Sequence, residues 1–155
     1  MLESEGVALR NIIFLLFSSF LFSLTIYVPE DYPTIQEGID WAETGDTVFV
    51  SSGIYYENID WPNKNGISLI GSSREETIID GNASGRVINF SGEGFWEIDE
   101  STLIQSLTIQ NGRFYGEENG GGIVLNESDI IIRDVSIINN HVSEAADCGG
   151  IHIID

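Results

Sequence analysis

The chain is predicted to be an all-β solenoid, a parallel β-helix closed at its start by a short capping α-helix. Three observations predict it. Leu103–Gly112 (LIQSLTIQNG) matches Ile131–Asn140 (IIRDVSIINN) at an offset of 28 residues, and Gly121-Gly122-Ile123-Val124 matches Gly149-Gly150-Ile151-His152 at the same offset. A repeat of this length marks units that bury their apolar faces only by stacking on one another. From Thr47 onward, Val- and Ile-rich runs of three to five residues recur, about three to a repeat, too short for the strands of a sandwich. Ahead of them lies one segment with helical rather than alternating periodicity.

The elements follow in chain order. Ile12–Leu24 (IIFLLFSSFLFSL) is an apolar run of 13 residues, shorter than the roughly 20 that a membrane span needs. It suits a signal-peptide core, so residues 1–25 are read as a signal peptide or leader and residues 26–155 as the β-helix domain. Glu3 and Glu5 outnumber Arg10 ahead of that core. A translation start at Val7 would restore a basic leader end; a buried first element and an uncleaved anchor are the alternatives. Ile26–Val28 is a short strand. Thr34-Ile35-Gln36-Glu37 is a capping box, in which Thr34 accepts from the third amide and Glu37 reaches back. Ile35, Ile39 and Ala42 share one face of a helix over 34–44, which Gly45 is expected to end. That helix covers the apolar end and open strand edges of the first coil.

Strands are expected over Thr47–Val50, Asn58–Trp61, Ile67–Ile70, Thr77–Ile79, Val87–Phe90, Leu103–Ile104, Leu107–Ile109, Ile123–Leu125, Ile130–Ile132, Val135–Ile138 and Ile151–Ile154. Gly71, Gly81, Gly92, Gly112 and Gly120–Gly122 punctuate them. The repeat sets Leu107 beneath Val135 and Ile109 beneath Ile137. It sets Asn111 and Asn139 at one corner, as a structural ladder of stacked amides.

The opening of the domain, Ile26-Tyr-Val-Pro, Thr34-Ile-Gln-Glu-Gly-Ile-Asp-Trp-Ala, Gly45-Asp-Thr-Val-Phe-Val and Gly53-Ile-Tyr-Tyr-Glu-Asn, resembles that of right-handed parallel β-helix proteins of the pectin-lyase-like superfamily. Ile67-Ser-Leu-Ile-Gly and Thr77-Ile-Ile-Asp-Gly extend the resemblance, and Val135-Ser-Ile-Ile-Asn-Asn with Gly149-Gly-Ile resembles the repeats of bacterial polymorphic outer-membrane and adhesin-type β-helices. The resemblance covers residues 26–155 and implies a right-handed coil. It speaks to fold more than to activity, because that superfamily contains lyases, hydrolases, esterases and non-catalytic surface proteins. Ile151–Ile154 runs to Asp155 inside a coil, so the chain is expected to be an N-terminal piece of a longer β-helix.

Composition narrows the partners. Six basic residues stand against 25 acidic ones, a formal net charge of −19. That balance opposes nucleic acid and anionic lipid, both of which need clustered Lys and Arg. It also repels uronate polymers, which leaves a neutral glycan as the easier ligand. The single cysteine, Cys148, allows no intrachain disulfide and leaves the compartment open. No membrane span is expected in the mature chain.

No catalytic residue stands out. The resemblance would require Asn-Thr-Asp, Asp-Asp and Gly-His-Gly for a polygalacturonase, or paired Asp with Arg for an esterase, and neither set is present. A lyase would need a basic proton abstractor and usually calcium; Lys64, Arg74, Arg86, Arg113 and Arg133 form no recognisable pattern. His141 follows a corner with Glu144 and Asp147 near in sequence, His152 lies within a strand, and both are read as ordinary surface residues. Glu97-Ile98-Asp99-Glu100 and Glu117-Glu118-Asn119 are read as solvated turns. No cofactor or resident metal is expected; Ca2+ on such turns is the one candidate. Asn82, Asn89 and Asn126 head glycosylation sequons of little weight.

Aromatic residues are the better surface candidates. Tyr55, Tyr56, Trp61, Phe95 and Trp96 fall near strand ends or loops, where a ring can stack on the apolar face of a sugar; filling corners is their plainer use. The function expected is that of a secreted or cell-surface module, of bacterial source, that binds glycan or serves as a structural stalk without catalysis. The alternative is the start of a polysaccharide lyase or glycoside hydrolase whose catalytic coils lie beyond residue 155.

Overall fold

A computed structural model describes residues 23–90, 98–115, 120–142 and 149–154. Strand β1 (Thr25–Val28) leads to helix α1 (Ile35–Trp41), and the rest of the described chain is strands and turns. These strands are β2 (Thr47–Val50), β3 (Gly53–Tyr56), β4 (Ile59–Asp60), β5 (Ser68–Gly71), β6 (Thr77–Asp80) and β7 (Ile88–Phe90). β8 (Leu103–Gln110), β9 (Arg113–Phe114), β10 (Ile123–Asn126), β11 (Ile131–Ile138), β12 (His141–Val142) and β13 (Ile151–Ile154) follow. The protein is β-rich with parallel sheets, and among the described residues no helix is long and apolar enough to cross a membrane.

Among the described residues every strand pairing is parallel, and the chain returns to the same sheets again and again. On the first wall Thr25, Thr47, Ser68, Leu103 and Ile131 are successive partners, 22, 21, 35 and 28 residues apart. β3 and β6 form a second wall, which the C-terminal halves of β8 and β11 extend. β4, β7, β10 and β13 make a third. β8 and β11 each serve two walls, because Ser106 (φ 56°) and Asp134 (φ 50°) turn the chain in mid-strand. Each was expected as two short strands; the ladder β11·β8 skips only that pair and joins them into one.

The core is a set of columns. Ile26, Val48, Leu69 and Ile104 stack on the first wall, Ile79 and Ile109 on the second, and Ile59, Ile88 and Ile123 on the third, all at most 4% exposed. Burial of each such side chain contributes roughly 1.5–3 kcal/mol. The last layer continues the columns with Ile132, Ile137 and Ile151, only partly buried. Leu107 pairs with Val135 and Ile109 with Ile137, as the 28-residue repeat predicts.

α1 closes the first layer. Ile35, Ile39 and Ala42 are fully buried against β1 and β2. Gly38 lets the helix lie close: a Cβ there would stand 3.0 Å from Val28 Cγ2 and 3.1 Å from Val48 Cγ1. Thr34 Oγ1 accepts from Glu37 N at 3.2 Å, while Glu57 Oε1 and Oε2 accept from Ile35 N and Gln36 N at 2.9 and 3.0 Å. At the other end Lys64 Nζ donates to the carbonyls of Asp40 and Ala42 at 2.8 and 2.9 Å. The helix ends at Trp41, before Gly45, because Ala42 is already extended (ψ 144°). Thr25 belongs to β1, Leu24 N donates to Asp46 Oδ1 at 2.8 Å and Ser23 Oγ to the Gly45 carbonyl at 2.7 Å. The fold thus takes in Ser23–Thr25, residues assigned above to the leader. β3, β9 and β12 were not expected as strands: β3 opens on a glycine, and the other two are two residues long, below any detectable alternation.

Candidate functional site

The second wall ends in a column of corners. β6 runs into Asn82 (φ 48°) and Ala83 (φ 54°), β8 into Asn111 (φ 55°) and β11 into Asn139 (φ 56°). Asparagine tolerates this left-handed conformation better than most residues. The turned chain leaves a groove of about 300 Å³ along the corners, in which Tyr56, Asn82, Asn111, Arg113, Asn139 and His141 meet over Asp80. A second groove of about 410 Å³ shares Arg113 and adds Asn58, Asp60, Arg86, Asn89 and Tyr115. Tyr56 and Tyr115 are 67% and 69% exposed. The Arg113 guanidinium lies 4.9 Å from the centre of the Tyr115 ring and Arg86 lies 3.8 Å over Phe114, which orders two cations beside the aromatic surface.

Asp80 anchors the corner. Its Oδ1 accepts from Asn82 N at 2.8 Å, and its Oδ2 from Gln110 Nε2 at 2.9 Å and Asn111 Nδ2 at 2.7 Å. Burial alone would raise its pKa; the three donors outweigh burial and hold the carboxyl below its ordinary value. A carboxylate kept ionised and occupied by its own corner is an anchor, and a general acid needs the opposite state. Asp60 Oδ1 likewise accepts from Asn89 Nδ2 at 3.2 Å.

The corner asparagines divide their work. Asn111 gives its amide to Asp80, and Asn140 links two layers, accepting from Gly112 N at 2.7 Å and donating to the Ile109 carbonyl at 3.1 Å. Asn111 and Asn139 occupy equivalent corners, one residue past the paired Gln110 and Ile138. Asn111 ties its layer to Asp80 of the layer before, and Asn140, which the sequence pairs with Gly112, ties the next layer to Gly112 and Ile109.

The structure separates the aromatic candidates. Tyr56 faces the groove. Tyr55 is half-buried, its hydroxyl donating to the Ser51 carbonyl at 3.0 Å; burial, then the charges of Glu30 and Glu57, push its pKa up. Trp61 is withdrawn from the surface set: it is 3% exposed and stacks on Phe90 with ring centres 4.7 Å apart, so both ring faces belong to the interior. Phe95 and Trp96 lie outside the described residues, as do Glu97, Glu117, Glu118, Asn119, Glu144, Asp147 and Cys148. Sequence reasoning passed over Tyr115, in a segment without alternation, and Trp41, 66% exposed and stacked on Tyr32 at 5.9 Å. Trp41 sits in a helix whose buried face excludes it, a helical-wheel signal that was available. His141 is exposed in the groove, and His152 is half-exposed beside Val124. Asp99 is exposed and accepts from the hydroxyl and amide of Ser101, which hold its carboxyl below the usual range. Among the described residues no three His, Cys, Asp or Glu side chains converge as a metal site would require.

The first groove therefore offers amides, the Arg113 cation, an anchored carboxylate and the exposed Tyr56 ring, and the second adds Arg86 and Tyr115, a set that can hold a polyhydroxylated ligand by hydrogen bonds and stacking. Comparison of the chain with protein-family models, with curated proteins and with solved structures finds no match.

Proposed function

We propose that this chain is part of a right-handed parallel β-helix, of the pectin-lyase-like kind, that is secreted or displayed at a bacterial cell surface and binds glycan without cleaving it, as an adhesive or structural module. The stacked parallel walls and the 28-residue repeat support the solenoid. Right-handedness has the support of the strong preference for right-handed crossovers between parallel strands of one sheet. The apolar run Ile12–Leu24 supports export.

The observation that carries the binding role is the meeting of exposed Tyr56 with the amides of Asn82, Asn111 and Asn139 in one open groove. The ligand proposed is a neutral polysaccharide or cell-surface glycan, since a chain of net charge −19 repels polyanions and nucleic acid alike. Neither a cofactor nor a resident metal enters this reading.

The test is retention of the chain on immobilised neutral polysaccharides, with Tyr56→Ala as the variant. Loss of one central aromatic contact is expected to weaken binding about tenfold. A folded Tyr56→Ala protein that binds as well as the parent rejects the groove, and release of sugar fragments by the parent rejects the non-catalytic role.

A further inference from the structure

Three strands at the N-terminal end of the sheets, β1, β3 and β4, have an outer edge, and the chain treats them differently. In a parallel ladder the N–H and C=O of one residue point to the same neighbour, and those of the next residue point away. In β4, Ile59 N bonds the Val87 carbonyl and Trp61 N the Asn89 carbonyl, so Asp60 faces outward. The Gln36 side chain closes that position as a strand would: Asp60 N donates to Gln36 Oε1 at 2.8 Å and Gln36 Nε2 donates to the Asp60 carbonyl at 3.0 Å. In β1, Thr25 and Tyr27 face outward, and Tyr27 is closed by Asp31, whose Oδ2 accepts from Tyr27 N at 2.8 Å and whose N donates to the Tyr27 carbonyl at 2.7 Å.

β3 has no such closure. Gly53 N and Glu57 N donate to the carbonyls of Glu76 and Asp80, so Ile54 and Tyr56 turn their backbone groups away from β6. Among the described residues no group bonds them, and their side chains are 54% and 67% exposed. α1 packs on β1, β2 and β4. An open strand edge with apolar side chains is a template for one more strand.

We infer that the outer edge of β3 is a docking site for an extended, basic segment of another protein, which adds to the sheet beside Ile54 and Tyr56. Charge selects the occupant. Glu57 follows Tyr56 directly and Glu30 accepts from Ser51 Oγ, just ahead of β3, at 3.3 Å; both charges are felt at Tyr55, in a chain of net charge −19. Lysine or arginine alternating with apolar residues complements that surface, with the apolar residues against Ile54 and Tyr56. A second copy of this chain would set acid against acid.

A synthetic peptide alternating lysine and valine is the probe, titrated into the full chain by calorimetry and by amide hydrogen exchange. Saturable binding that weakens with salt is expected, with slowed exchange at Ile54 and Tyr56. Ile54→Pro and, separately, Tyr56→Pro each delete an outward N–H while leaving the donors to β6 in place. Each is expected to weaken binding at least about fivefold, the worth of one backbone hydrogen bond. Tyr56→Ala keeps the backbone edge and removes one apolar contact, so it is expected to weaken peptide binding less than Tyr56→Pro does. The inference is overturned if both proline variants bind like the parent, if Ile54 and Tyr56 amides are already protected in the peptide-free chain, or if the chain alone dimerises through this edge. Exchange in the unsubstituted protein decides the matter even where a proline variant does not fold.

Discussion

Asp80 is 6% exposed and carries three donors, none from a basic residue. Removing its carboxylate strands Gln110, Asn111 and the Asn82 amide in a partly dry corner. Asp80→Ala is therefore expected to lose roughly 2 kcal/mol or more of unfolding free energy in urea. The pH dependence has a definite sign. Asp80 has a folded pKa depressed below its unfolded value, so its contribution is complete above the ordinary aspartate range, near about 3.9, and is lost as pH falls through the folded value. Urea midpoints followed downward from pH 5 should fall less steeply in Asp80→Asn than in the parent; identical slopes would remove Asp80 as the anchor. The aspartate is visible in sequence as one acidic residue among 25. The Asn82 amide is two residues on, an ordinary turn contact, while the partners that make Asp80 an anchor lie 30 and 31 residues away.

At the scale of elements, α1 has seven residues, too few to persist alone. Its ends are tied by residues of later strands and turns, with Glu57 on the amides and Lys64 on the carbonyls. The capping box read from Thr34 and Glu37 is present in its Thr34 half. The second acceptor comes from Glu57, because a carboxylate at a helix start also answers the helix dipole. Glu57→Ala, which frees two amides, is expected to cost about 2 kcal/mol, and Thr34→Ala, which frees one, about 1 kcal/mol. Chemical denaturation of the two variants checks the order, and a larger loss in Thr34→Ala would return the cap to the local motif. The helix itself was legible from Ile35, Ile39 and Ala42, since a helical stripe is a local pattern. Its cap was not, since Glu57 lies 22 residues from Ile35.

Across the whole molecule, successive layers meet at glycine corners with no room for a side chain. A Cβ on Gly112 would strike the Gly121 carbonyl and stand 2.7 Å from Val87 Cγ2, whereas one on Gly85 would meet only the side-chain amide of Asn58, at 3.3 Å. Gly112→Ala is expected to lose about 3 kcal/mol by overpacking and Gly85→Ala much less, measured as shifts in the urea midpoint. Equal losses would argue against close stacking at this corner. The 28-residue repeat shows only the last two layers in sequence, because the earlier steps are 22, 21 and 35 residues long. Ladder register sets the alignment of layers, and the turns between them accept insertions freely.

By itself the sequence determined the parallel stacked architecture, the columns of isoleucine, valine and leucine, the first helix and the 28-residue register. Each of these is written as a periodicity, of two, of about 3.6 or of 28, that adjacent residues carry. Tertiary structure decided which aromatic rings meet water, which partners the corner asparagines take and which strand edge stays open. Trp61 and Tyr56 look alike as neighbours of short strands, yet one is sandwiched inside and the other lies open in the groove. The reason is that each ring's surroundings are supplied by later layers: Phe90 covers Trp61, whereas the corner residues Asn82, Asn111 and His141 stand beside Tyr56 and leave it open.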